Sequence, residues 1–171
     1  GSFLATPMQV ARDTAIFAMG HDVTPHFIGS INGVPQEWHA RDILSQKEKS
    51  ALKYIREGMH AVANIPGGTG FRVLSPSKVT IAAKSGTAQV VGISQEDKER
   101  IKESDMEYYE RSHAWMTGYA PYENPRYIVT VLVEHGASGG GAAGPILARI
   151  IDKLEDMGYI DEKYLKKKNS K

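Results

Sequence analysis

The chain has 171 residues, with 21 Lys+Arg against 20 Asp+Glu and a formal net charge of +1. That balance excludes a strongly basic nucleic-acid footprint and an acidic solvating tail as accounts of the whole chain. With 41% hydrophobic residues, 24% charged residues and no cysteine, it reads as folded sequence without disulfides, a thiolate zinc site or a cysteine nucleophile.

Taken in order, Thr6-Pro7-Met8-Gln9 has the form of a helix start: a capping Thr, Pro at the first helical position, and Gln placed to reach back. Val10, Ala11, Ala15, Ile16 and Met19 predict the buried stripe of that helix, and Gly20 its end. A capped helix this near Gly1 gives the expectation of a chain cut from something longer. The stretch 21–43 is turn-rich, with Phe27, Ile28 and Ile31 as a short strand and Asn32-Gly33 as a hairpin turn. Ser45-Gln46-Lys47-Glu48 is a second capping box, opening a helix that should bury Leu52, Ile55, Met59 and Val62 and end before Pro66.

Residues 79–91 predict a strand, and the charge-dominated stretch 95–111 a solvated helix or an excursion between strands. Two further strands follow, 114–122 and 127–134, joined at Glu123-Asn124-Pro125-Arg126. The second is nearly all apolar and β-branched, which predicts a central position covered on both faces. After the glycine run Gly136 to Gly144 comes a helix with Pro145 in its first turn, the stripe Ile146, Leu147, Ile150, Ile151 and Leu154, and a stop at Gly158. Lys166 to Lys168 read as a solvated tail. No apolar run approaches the roughly 20 residues a membrane-spanning helix needs, and Gly1 opens no signal-peptide pattern. The order predicts an α+β layout around an antiparallel sheet.

The sharpest chemical feature is Lys84-Ser85-Gly86-Thr87 at the end of a strand. Gly86 lets a ligand backbone lie against the strand, Ser85 and Thr87 offer hydroxyl donors, and Lys84 adds positive charge. Together they suit a carboxylate at the end of an extended peptide. Four residues alone are equally a strand ending in a polar turn.

The surrounding sequence shifts that balance. Ala83-Lys84-Ser85-Gly86-Thr87-Ala88-Gln89-Val90 resembles the third motif, Lys-Ser/Thr-Gly-Thr, of penicillin-recognising transpeptidases and serine β-lactamases. Gly1 to Ala11 resembles the segment after the second motif of class B penicillin-binding proteins. Arg56-Glu57-Gly58-Met59 with Asn64 to Thr69, His113 to Tyr122, and Gly144-Pro145-Ile146-Leu147 resemble their later elements in order. The form of residues 83–90 is closest to the elongation-specific branch of that family.

The resemblance implies residues 1–171 as a single fragment, the C-terminal portion of a transpeptidase domain, with three strands of its antiparallel sheet and the C-terminal helix. It implies a substrate ending in D-Ala-D-Ala, or a β-lactam mimicking it. Ser85, Gly86 and Thr87 would bind that substrate, Lys84 would act electrostatically and in proton relay, and the Thr87 backbone N–H would be an oxyanion donor. No cofactor or metal is implied. The implied partners are a membrane glycan polymerase and rod-shape scaffold proteins, at the periplasmic face of a bacterial inner membrane, with the parent anchored by an N-terminal helix absent from this chain. Self-association through the exposed sheet edge is expected of the fragment.

The family also uses Ser-x-x-Lys and Ser-x-Asn upstream of the strand motif. Ser50-Ala51-Leu52-Lys53, Ser75-Pro76-Ser77-Lys78 and Ser30-Ile31-Asn32 match literally but stand in the wrong element or order, so they are read as structural. The nucleophile is then expected outside this chain, and the fragment alone is expected to be inactive. A self-sufficient hydrolase using Ser50 and Lys53, an inactive relative, and a peptide-binding module without chemistry are the competing readings. Ala83-Lys84-Ser85 lacks the glycines of a P-loop, and Gly67-Gly68-Thr69-Gly70 lacks the lysine that would follow. His21, Asp22 and His26 could in principle share a metal, but the loop histidines are read as solvated; His113 is read as a packing residue near the site's rim, and the glycine run as a tight strand-to-helix passage.

Overall fold

A computed structural model describes residues 4–90, 102 and 105–167. Helix α1 spans Pro7–Met19, with the Thr6 capping box formed and Gly20 closing it in the left-handed region at φ 82°. Its buried face is Thr14, Ala15 and Ala18. That face is rotated from the predicted stripe: Thr14 bonds to Thr117, and Ala18 packs against Met59, Ala82 and Tyr119. Strands β1 (Ser30–Ile31) and β2 (Val34–Pro35) form a hairpin with Asn32 and Gly33 both at positive φ, as a two-residue turn requires. Phe27 and Ile28 lie outside it, Phe27 being 91% exposed.

Helix α2 spans Gln46–Asn64 behind its Ser45 capping box. Leu52, Met59 and Ala63 are buried, whereas Ile55 is exposed, since the helix presents that side to an open groove. A one-turn helix that the sequence pattern did not predict, α3 (Phe71–Leu74), follows and buries Leu74.

The sheet is antiparallel, β3 (Ala82–Ala88), β4 (His113–Ala120) and β5 (Tyr127–Val133), in that spatial order. Among the described residues the predicted central strand is therefore an edge, and β4 is central. The β-branched run of β5 reflects cover on its two faces rather than strands on its two sides. Ile128 packs with Ala18, Met59, Ala82 and Tyr119, while Val129, Val131 and Val133 pack with Met116, Leu147 and Ile151. Val79 precedes the strand and forms an isolated bridge with Leu165. The far end of the predicted 79–91 strand, most of the 95–111 excursion, and Lys168 of the basic tail lie outside the described residues.

A π-helical turn at Gly139–Ala143 leads into α4 (Gly144–Asp156). Leu147, Ala148 and Ile151 are buried on α4, whereas the predicted Ile146 and Ile150 are exposed on its outer side. Full burial of a side chain such as Leu147 or Ile151 contributes roughly 2 kcal/mol, so α4 is held mainly by this one face. Its C-terminal end is tied to the segment that leads into β3. Asp152 accepts from the Ser77 hydroxyl at 2.6 Å and the Lys78 N–H at 3.1 Å, and Lys78 Nζ pairs with Glu155 and Asp156.

Candidate functional site

Strand alternation and the register, Lys84 opposite Thr117, Ser85 opposite Met116 and Thr87 opposite Ala114, divide the motif between two faces of the sheet. Lys84 falls on the α1–α2 side, Ser85 and Thr87 on the α4 side. Because β3 is an edge strand in the described sheet, both sets reach its rim, and Lys84 and Thr87 are exposed. Lys84 Nζ donates to the Ser85 carbonyl at 2.6 Å. It lines an open groove of about 500 Å³ with Thr14, Phe17, Tyr54, Ile55 and Thr117. Thr14 and Thr117 of this groove continue into Thr130 as a ladder of hydroxyls, each step 2.7 Å.

Thr87 lines a second groove of about 720 Å³ with Gln89, His113, Trp115 and Glu134. Ser85 Oγ lies 2.7 Å from Thr69 Oγ1, in the turn after α2. The sequence offered Thr69 only as part of a glycine turn, because nothing local to residue 69 indicates a partner 16 positions away.

The glycine run stands behind the motif. A Cβ on Gly139 would lie 2.3 Å from the Trp115 carbonyl oxygen and 2.7 Å from that of Gly86, so the backbones stack directly. A Cβ on Gly140 would lie 2.3 Å from the Thr69 carbonyl oxygen. The run thus serves the tight passage into α4 and also seats the motif strand.

The other serine–lysine pairs have structural partners. Ser50 donates to the Gln46 carbonyl, Lys53 faces Glu57 at 3.9 Å, and Ser77 and Lys78 bind α4. Ser30 and Asn32 sit in the β1–β2 hairpin. None of these residues lines the groove beside Lys84. His26 stacks on Trp38 at 4.5 Å, and the Asp22 carboxylate is bound by Arg12 and Arg41. His113 Nδ1 accepts from the His135 N–H at 2.9 Å, which gives it a packing role at the rim of the second groove.

An antiparallel sheet with its motif on an edge strand, backed by a C-terminal helix and facing a groove lined by two others, is the layout of the penicillin-recognising transpeptidases. The model of the penicillin binding protein transpeptidase domain matches residues 1–152, and the chain belongs to this family. The resemblance carried by residues 83–90 is borne out by its relatives. The peptidoglycan D,D-transpeptidase MrdA of Haemophilus influenzae is 34% identical over 157 residues, covering 89% of this chain and 24% of that protein. The MrdA of Escherichia coli is 31% identical, covering 90% of this chain and 25% of its own length. Among solved structures, the penicillin-binding protein PBP2 of Helicobacter pylori in complex with MreC superposes with a TM-score of 0.78 at 42% identity, over 94% of this chain and 26% of that one. The PBP2 of Pseudomonas aeruginosa in complex with WCK 5153 gives 0.72 at 30% identity, over the whole of this chain and 34% of the other. The chain therefore spans about a quarter of the length of the curated relatives it matches.

Proposed function

We propose that this chain is the substrate-binding portion of a bacterial peptidoglycan D,D-transpeptidase, and that the nucleophilic serine lies in another part of the same protein. The observation that carries this reading is the exposed edge of β3, where Lys84, Ser85 and Thr87 surround Gly86 beside an open groove. A stem peptide ending in D-Ala-D-Ala would add along that edge as an antiparallel strand. The Ser85 and Thr87 hydroxyls would hold its terminal carboxylate, and the Lys84 ammonium would favour the anion. β-Lactams carry a carboxylate in the equivalent place.

In the acylation step the serine oxygen bonds to the carbonyl carbon of the penultimate D-Ala. The amide bond to the last D-Ala breaks, and its nitrogen leaves with the proton given up by the serine. The Thr87 N–H would stabilise the oxyanion that forms between these events, and Lys84 would assist the proton's passage. Attack by an amine of a second stem peptide on the ester then completes the cross-link and frees the serine.

The complex of the Helicobacter pylori relative with MreC supports a rod-shape scaffold protein as partner. A membrane glycan polymerase is a partner by family analogy, and the site of action would be the periplasmic face of the inner membrane.

Labelling by a fluorescent penicillin tests the reading. The full-length protein should label, and Thr87→Val should slow its acylation by about tenfold, the scale of one lost hydrogen bond to a charged group. The 171-residue chain should not label. A full-length protein that binds D-Ala-D-Ala peptides without ever labelling would instead be a peptide-binding module.

A further inference from the structure

Thr69 stands outside every role assigned above, yet its hydroxyl is the side-chain partner of Ser85, at 2.7 Å. We propose that Thr69 is a positioning residue for the carboxylate subsite: it donates to Ser85 Oγ and so commits the Ser85 proton to the incoming anion. This inference rests on the reading of residues 84–87 as the carboxylate site.

A serine hydroxyl has one proton to give and can accept at its oxygen. A carboxylate only accepts, so when it binds, the Ser85 proton must point at it. Thr69 can then satisfy Ser85 in one direction only, by donating. The two hydroxyls become a series, Thr69 to Ser85 to anion, in which each bond polarises the next. Without Thr69, the Ser85 proton is free to rotate, and ordering it costs part of the binding free energy.

The placement of Thr69 is fixed by backbone contacts on both sides. Its turn is bound to the end of α2, with the Gly68 N–H donating to the Ile65 carbonyl and the Gly70 N–H to that of Val62. From the other side Gly140 presses on the Thr69 carbonyl, while neighbouring Gly139 presses on Gly86. One glycine-rich segment therefore sets the height of Thr69 and of the motif strand together. Ser85 and Thr69 thus share a reference surface, the backbone of Gly139 and Gly140.

The test measures acylation of the full-length protein by a penicillin and by its methyl ester, which lacks the anion. Thr69→Val should slow acylation by the free acid by about tenfold, with the ester unaffected and Thr69→Ser restoring the rate. In a Ser85→Ala background, Thr69→Val should produce no further loss. Equal losses for acid and ester would make Thr69 merely structural and overturn the proposal. Additive loss in the Ser85→Ala background would overturn it too, since Thr69 would then touch the anion itself. A wild-type protein that takes up no penicillin defeats the reading of the site, and this inference with it.

Discussion

Tyr119 is a large side chain buried on the α1–α2 side of β4, packed with Ala18, Met59 and Ala82. Its ring lies 6.3 Å from that of Tyr122, but its hydroxyl has no hydrogen-bond partner among the described residues. A buried hydroxyl without a partner gives up its water and gains nothing, so it opposes folding. Burial, with a smaller contribution from Tyr122, pushes the phenol up to about 12. The folded state then holds its proton where the unfolded chain releases it. The associated stability is complete below about pH 10 and is lost as pH rises toward 12. Tyr119→Phe should raise stability by about 1 kcal/mol near neutral pH and flatten the alkaline loss, read as urea unfolding midpoints. An unchanged alkaline profile would show that another group governs that limb.

Among the elements, the arm of residues 21–43 is closed at its base by one residue pair. Asp22 and Arg41 exchange both backbone hydrogen bonds at 2.9 Å, and their side chains pair at 2.6 Å. Arg12 reaches from α1 to grip the same carboxylate through two bonds, at 2.6 and 2.5 Å. The Asp22 side chain is wholly buried, so this triad joins α1 to the arm where the turns alone would not. The Arg12 hydrogen bond, against the opposing effect of desolvation and with help from Arg41, holds the carboxyl down to about 2. That lowered value makes the stabilisation complete above about pH 4 and lost as pH falls through the folded value. Asp22→Asn should therefore lower the unfolding midpoint near neutral pH, and the two proteins should converge as pH falls toward 2. A gap that persists in acid would assign the effect to packing instead of charge.

The same scale explains what residue patterns could and could not foretell. The capping boxes at Thr6 and Ser45 are local devices, complete within four residues, and both form. The place of β5 in the sheet is not local: its run of Ile, Val and Leu records that helices cover both faces, which a central strand and a sandwiched edge strand share. The inward faces of α1 and α4 are set by neighbours from other parts of the chain. Lys84 to Thr87 announced themselves through their own spacing. Thr69 and the seating of Gly139 on Gly86 arise only when three backbones meet, and no periodicity encodes that.

At the scale of the whole molecule, the described residues leave three surfaces open, two sheet edges and the arm. The three-stranded sheet ends in β3 on one side and β5 on the other, each presenting backbone groups that the described ladder does not pair. The arm adds Phe27, Ile28, Ile31, Val34 and Trp38, all exposed. These residues are spread along a thin hairpin, whereas a strand edge offers a continuous row of donors and acceptors. Edge pairing is therefore the stronger route to association for the 171-residue chain in isolation. Light scattering during gel filtration should show mass increasing with concentration, and Phe27→Asp, which leaves the sheet intact, should not abolish it. If Phe27→Asp alone returned a monomer, the arm would be the sticky surface; a monomer at every concentration in the unaltered chain would show that both edges are already protected.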